Sequence, residues 1–200
     1  KVIGGNYMKK RFGIDIDGTV TTPDAFIPFV NQDFQVQLTL EDFTEYYWAP
    51  LMNVDRKELY KWYFERETEI YQSSPVAEGA TEVLKEWSLQ NELVYISART
   101  AKMLDVTKEW FHRHDIPFNR IELLGSHDKV QAAKDLKVDI FLEDKHDNAV
   151  NIHEECGIPV LLFDTPYNRK PIPEGVIRIY SWKEANAWVK EWMKKHSFSR

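Results

Sequence analysis

The 200-residue sequence holds one cysteine, Cys156. No disulfide can form within the chain, so the sequence fits a reducing compartment, and the expected location is cytoplasmic. No apolar run approaches the roughly 20 residues that a membrane-spanning helix needs. The basic-then-apolar pattern of a signal peptide is missing. Positive charge is not in excess: the formal net charge is −6, which excludes a broad basic field for a nucleic-acid duplex. The six histidines are scattered without zinc-ligand spacing. Internal repeats and low-complexity stretches are absent too. What remains, 43% apolar and 29% charged residues, suits one core domain with a modest insertion. Residues 1–7 precede the first methionine, Met8, and read as an extension outside the fold.

Short apolar runs recur along the chain and stop at polar residues. Phe12 to Ile16 runs into Asp17, Gly18 and Thr19; Leu93 to Ile96 stops at Ser97; Ile121 to Leu124 stops at Gly125. Val138 to Leu142 stops at Glu143 and Asp144, and Val160 to Phe163 and Ile177 to Tyr180 complete the set. These read as buried strands. Between them lie helical stripes: Val83, Leu84 and Trp87; Met103, Val106 and Trp110; Ala132, Ala133 and Leu136; and a helix over 149–156 ending at Gly157. Ser181 and Glu184 form a capping-box pattern that opens a last helix with Ala185, Trp188 and Trp192 on one side. Such alternation predicts an α/β fold, a parallel sheet with helices on both faces, with ligands beyond the carboxyl ends of the strands. The alternation breaks between Thr22 and Pro75, where helical patterning and many aromatics replace strands.

Asp15-Ile16-Asp17-Gly18-Thr19 follows the first strand. Two carboxylates two residues apart can both face one pocket at a strand end, one to attack phosphorus and one to move protons. Gly18 permits the tight backbone that a small substrate group must approach. With Val20, this run resembles the first motif of the haloacid dehalogenase superfamily, mostly phosphatases with a Rossmann-like core and a mobile cap. Ser97 matches the second motif, which binds a phosphate oxygen; Lys129 matches the third; Glu143-Asp144 followed by Asp147 matches the fourth. The resemblance implies Asp15 as nucleophile and Asp17 as acid and base. It implies phosphate binding by Ser97, Lys129, Gly18 and Thr19. It also implies Mg²⁺ held by Asp15, the Asp17 carbonyl and Asp144, with Glu143 and Asp147 as supporting acids. A cation beside Asp15 lowers a carboxylate pKa, so Lys129 is expected to hold Asp15 ionised. Lys134 and Lys145 are the alternatives for that lysine. Arg99 reads either as a contact to phosphate or substrate or as an exposed charge at a helix start.

The run Leu162 to Arg169, leading to Ser181-Trp182, is similar to the closing region of the 5'(3')-deoxyribonucleotidase family. That resemblance implies removal of phosphate from nucleoside monophosphates and a small helical cap after the first motif. Three positions depart from the pattern: Glu143 where Asp is usual, Ser97-Ala98-Arg99 for a Thr-Ser-Pro-like run, and Pro23 near an expected cap aromatic. The expected organisation is a catalytic core over 8–22 and 77–200 with a helical cap over 23–76, and Pro75 to Gly79 as the return hinge. Aromatics crowd the cap beyond the chain average of 14%. A substrate base could stack on one or two of them, with Trp48 the first choice, or they could simply form the core of a small helical unit. A phosphatase for sugar or other small metabolite phosphates is the alternative enzyme reading, and a non-catalytic regulator on the same fold is the reading from another class.

Overall fold

The computed structural model describes residues 9–196, so the extension expected over 1–7, with Met8, lies outside the described residues. Six strands form one parallel sheet: β1 (Arg11–Ile14), β2 (Glu92–Ser97), β3 (Arg120–Leu123), β4 (Ile140–Glu143), β5 (Val160–Phe163) and β6 (Val176–Ile179). The strand order is β3-β2-β1-β4-β5-β6. The central strands are apolar on both faces, as a parallel sheet covered by helices requires. On one face Phe12, Ile14, Leu93, Tyr95, Ile140 and Leu142 pack against Leu84, Trp87, Trp110, Phe111, Trp182 and Val189. These come from α3 (Ala80–Ser88), α4 (Leu104–Arg113) and α7 (Trp182–His196). On the other face Val94, Ile96, Phe141, Val160 and Leu162 pack against Ala133 of α5 (Val130–Asp135) and Ala149 and Ile152 of α6 (His146–Cys156). The expected α/β architecture is the one observed.

Several boundaries shift for local reasons. β1 stops at Ile14 because the carbonyl of Ile16 closes a tight turn, accepting from the backbone N–H groups of Val20 at 2.9 Å and Thr21 at 3.0 Å. Val138 does not enter β4; its N–H instead completes the end of α5 by donating to Ala133 at 3.2 Å. α6 begins at His146 rather than Ala149 and ends, as expected, at Gly157 with φ +67°. At the start of α7 the Ser181 hydroxyl accepts from the Glu184 N–H at 3.1 Å. The Glu184 carboxylate returns to the N–H of Tyr180 at 2.8 Å, one residue earlier than a capping box places it.

Between β1 and β2 the chain forms α1 (Ile27–Phe34), two single 3-10 turns at Leu40–Asp42 and Ala49–Met52, and the long helix α2 (Arg56–Ser73). Asp55 caps α2 by accepting from the Glu58 N–H at 2.8 Å. Val30, Ala49, Met52 and Leu59 form a small core with Phe26, Phe34, Trp48 and Trp62 around it. The outgoing and returning chains lie side by side. Thr21 and Val76 form an antiparallel bridge; the Thr22 N–H donates to Pro75 at 3.1 Å and the Ala77 N–H to Val20 at 2.8 Å. Among the described residues no helix is long and apolar enough to cross a membrane.

The sheet centre has no spare volume. Gly13 pairs with Phe141 across the β1–β4 ladder, and a Cβ at position 13 would stand 2.5 Å from the Phe141 ring. Because that ring is fully buried, Gly13→Ala is expected to cost about 1–3 kcal/mol by overpacking. Urea unfolding would read this as a lower midpoint at an unchanged slope.

Candidate active site

The sheet order reverses at β1, since β2 lies on one side and β4 on the other. Parallel sheets bind ligands at such a switch, beyond the carboxyl ends of the strands. Asp15 follows β1, Asp144 follows β4, and Arg99 lies two residues past β2. Lys129 enters from the residue before α5. A cavity of about 730 Å³ opens above them, within the range of roughly 300–1,000 Å³ usual for small-molecule sites. Its floor includes Asp15, Asp17, Gly18, Lys129, Glu143 and Asp144; its roof includes Phe26, Tyr46, Trp48, Tyr60, Tyr63, Phe64 and Tyr71.

Asp15, Glu143 and Asp144 are buried, with one carboxylate oxygen of each lying within 4.8 Å of the others. The Lys129 ammonium contacts Asp15 and donates to Glu143 at 2.9 Å. Three carboxylates against one ammonium leave the site short of positive charge. Burial, then the charge of Glu143, push Asp15 from its ordinary 3.8 to about 7, and Lys129 only partly opposes them. Burial and the charges of Asp15 and Glu143 push Asp144 well up as well. Burial also works against Glu143, yet Lys129 and hydrogen bonds from the backbone N–H groups of Asp144 and Lys145 hold its carboxylate below the ordinary range. Lys129 draws the Asp15 pKa down, the direction expected from sequence, but burial and the charge of Glu143 outweigh it. The donors are all hard oxygens, the charge deficit is positive, and Asp15 and Asp144 line the open cavity. This donor set fits a hard divalent cation.

Gly18 is required twice over. Its φ is +82°, and a Cβ would collide with the Asp144 carboxylate and stand 3.0 Å from the Tyr167 hydroxyl. The Tyr167 hydroxyl donates to Asp144. Asn168, fully buried, donates to the backbone carbonyls of Asp144 at 2.6 Å and Phe163 at 2.7 Å, so it ties the end of β4 to the end of β5. The indole N–H of Trp182 donates to the Thr19 carbonyl at 3.1 Å, bracing the Asp15 loop from beneath.

Other expected residues take different places. Asp147 does not join the acidic cluster: it sits in the first turn of α6, largely exposed, with its carboxylate on His146 Nδ1 at 3.0 Å. Asn148, one residue further round the helix, turns inward and donates to Glu143 at 3.3 Å. Thr19 contacts Asp15, donating at 3.3 Å, and the Gly18 N–H is taken by Thr21 Oγ1 at 3.1 Å. Ser97 lies buried at the end of β2 and accepts from the Arg99 N–H at 3.1 Å. Lys134 pairs with Glu155 away from the site, and Lys145 lies over the Tyr46 ring. Arg99 is not an exposed helix-start charge; its side chain is fully buried and bound to Asp17. Trp48 packs among Phe26, Phe43 and Trp62 with ring centroids 4.7–6.1 Å away, so it is part of the small core as well as a cavity wall. Tyr60 and Phe64, one turn apart on α2, are half exposed and line the cavity.

Reading the sequence counted Tyr46, Tyr63 and Tyr71 only among the cap aromatics, and it missed Asn148 and the roles of Tyr167 and Asn168. For Tyr167 and Asn168 a signal was available, since they follow β5 at the same sheet edge as the acids. The ring residues of the roof carried no such signal, because an aromatic run reads the same whether its rings face a core or a cavity.

Comparisons with known proteins agree with this geometry. Residues 10–195 match the family described as 5' nucleotidase, deoxy (pyrimidine), cytosolic type C protein. A protein of Halalkalibacterium halodurans named "Putative nucleotidase" is 50% identical over 190 residues, covering 95% of this chain and 97% of that protein. One of Clostridium acetobutylicum named "Nucleotidase" is 32% identical over 182 residues, covering 91% and 94%. Among solved structures, a haloacid dehalogenase-like family hydrolase from Xanthomonas campestris superposes with a TM-score of 0.63 at 14% identity, covering 94% of this chain and 97% of that one. That likeness shows the shared fold. Sequence, fold and acidic site converge: this chain belongs to the cytosolic type C 5' nucleotidase family, on a haloacid dehalogenase-like fold.

Proposed function

We propose that the protein is a Mg²⁺-dependent phosphatase that hydrolyses nucleoside monophosphates through an aspartyl-phosphate on Asp15. The observation that carries the chemistry is the buried trio Asp15, Glu143 and Asp144 with Lys129 against it, under a cavity with a polar floor and an aromatic roof. Asp15, Asp144 and the backbone carbonyl of Asp17 would hold the ion, with Glu143 supporting through Lys129. Bound there, Mg²⁺ supplies Lewis-acid charge that offsets the repulsion between a phosphate dianion and a carboxylate nucleophile. Asp15 attacks phosphorus while Lys129 neutralises part of the charge on the transferring group. Asp17 protonates the leaving oxygen, then takes the proton of the water that hydrolyses the aspartyl-phosphate. The unit over 23–76 acts as a cap that excludes water, with the paired connections at Thr21 and Val76 as its hinge. The family and the named nucleotidases support a nucleotide substrate, and the rings of the roof offer a base a stacking surface. The single cysteine fits a cytoplasmic enzyme.

Asp15→Asn is expected to lower turnover by about 10⁴-fold or more with the melting temperature kept, because the amide is isosteric but cannot attack. A folded variant with near-normal release of phosphate from nucleoside monophosphates excludes Asp15 as the nucleophile.

The raised pKa of Asp15 fixes a pH dependence. In the metal-free protein Asp15 retains a proton up to about pH 7 that the unfolded chain releases near its ordinary 3.8. Its contribution to stability is therefore full below that lower value and lost as pH rises through 7. Protons and Mg²⁺ compete for the same oxygens. Mg²⁺ should raise the melting temperature more at pH 8 than at pH 6, and chelation should abolish activity until Mg²⁺ is restored. Equal thermal shifts at both pH values would contradict this site.

For the roof, Phe64→Ala should reduce kcat/KM for nucleoside monophosphates by roughly the 1–3 kcal/mol of one lost base-stacking contact, and should spare 4-nitrophenyl phosphate. Trp48→Ala, which opens the small core, should lower both together along with the melting temperature. The reverse pattern would return Trp48 to the role of base contact.

A further inference from the structure

Asp17 has one side-chain partner among the described residues. Arg99 grips its carboxylate with two parallel bonds, Nη2 to Oδ1 at 2.7 Å and Nε to Oδ2 at 2.9 Å. Two-point pairing fixes the plane of a carboxylate as well as its place. Without it Asp17 would be free to turn, since its side chain is 40% exposed, whereas that of Arg99 is 0% exposed. The guanidinium is itself held from two sides. Its Nη1 donates to Thr107 Oγ1 of α4 at 3.0 Å, and its carbon lies 3.8 Å from the centroid of the Tyr71 ring on α2. Tyr71 is buried, and its hydroxyl lies 3.2 Å from that of Tyr63, about two turns of α2 earlier. A fully buried cation is costly unless paired. Here the pair is spent on a residue standing at the cavity floor, and one of its two supports comes from the helix that roofs the cavity.

We propose that Arg99 is a positioning residue for Asp17, and that the Tyr71 ring helps to hold Arg99 in that role. The inference rests on the reading of Asp17 as acid and base. In the first step an Asp15 oxygen bonds to phosphorus while the phosphorus–oxygen bond to the leaving group breaks. The Asp17 proton passes to the departing oxygen, so an alcohol leaves and Asp17 becomes a carboxylate. In the second step a water oxygen bonds to phosphorus, the bond to Asp15 breaks, and the water proton returns to Asp17, releasing inorganic phosphate. Each Asp17 oxygen keeps a lone pair turned away from the guanidinium fork, and that pair carries the travelling proton. Arg113 and Trp110 of α4 donate to the carbonyls of Gln72 and Ser74, both at 2.9 Å, so the Tyr71 end of α2 is tied to the core, and the ring keeps Arg99 and through it Asp17 aligned for proton transfer.

The test uses a series of phenyl phosphates with ring substituents, which keeps substrate size and charge nearly constant while the need for a proton on the leaving oxygen varies. The quantity read is kcat/KM, which includes only steps up to leaving-group release. Arg99→Lys keeps the buried charge but loses the fork. It should lower kcat/KM for phenyl phosphate by about tenfold or more, within the range of general-acid effects, while 4-nitrophenyl phosphate stays within about twofold. Tyr71→Ala should shift the ratio in the same direction, and Tyr71→Phe, which keeps the ring face, should hold it near wild type. Equal losses across the series in Arg99→Lys would overturn the proposal, since they would mark Arg99 as a phosphate contact or a purely structural ion. Asp17→Asn serves as the reference. If it steepens the dependence and Arg99→Lys does not, the positioning inference falls alone. If Asp17→Asn leaves the dependence unchanged, the acid–base reading falls with it.

Discussion

The site is organised by an imbalance of charge. Three carboxylates are buried at the ends of β1 and β4 with a single ammonium between them, an arrangement that a metal-free interior tolerates only by keeping protons on acids. The rest of the core holds that imbalance in place. β1 and β4 are neighbours at the centre of the sheet, so the acids cannot separate without breaking a buried ladder. Gly18 gives the loop the space to pass the Asp144 carboxylate. Asn168 and Trp182 fix the two acidic loops by their backbones rather than by their carboxylates, so holding the loops does not turn the carboxylates from the cavity.

The two acids of the first motif live in different environments two residues apart. Asp15 is enclosed and shares a cation with Glu143; Asp17 is partly open and has a guanidinium to itself. The roles proposed for them, nucleophile and proton carrier, need this separation, because groups sharing one environment titrate as a unit. The division follows from the chain itself: Asp15 still faces inward at the end of the strand, whereas by Asp17 the backbone has begun the turn closed on the Ile16 carbonyl.

Much of this was legible in the sequence, because strand ends and acids coincide. The apolar runs located all six strands, and three of them ended at the polar residues Asp15, Ser97 and Asp144, which the sheet brings to one edge. Asp15, Lys129, Glu143 and Asp144 converge as their order in the chain implied. Asp147 was misjudged because spacing alone does not give the phase of a helix whose start is unknown; once α6 begins at His146, Asn148 faces inward instead. Arg99 stayed ambiguous because its partner is 82 residues away, and no local pattern records such a pairing. The roof was recognisable as a helical unit, but which rings meet the cavity depends on how α2 packs on α4, a contact between segments with no shared periodicity.

The bridge between Thr21 and Val76 has a consequence for how such a molecule can change over time. The two ends of a segment of more than fifty residues meet as hydrogen-bonded neighbours, so the sheet is joined to the insertion at one short seam. The entropy of closing a loop grows only with the logarithm of its length. A longer, shorter or differently folded segment between the same two anchors would cost the sheet little stability and leave the strand order intact. That freedom ends where the segment also touches the core: Tyr71 lies on Arg99, Glu67 pairs with Lys102 and the Gln72 carbonyl accepts from Arg113.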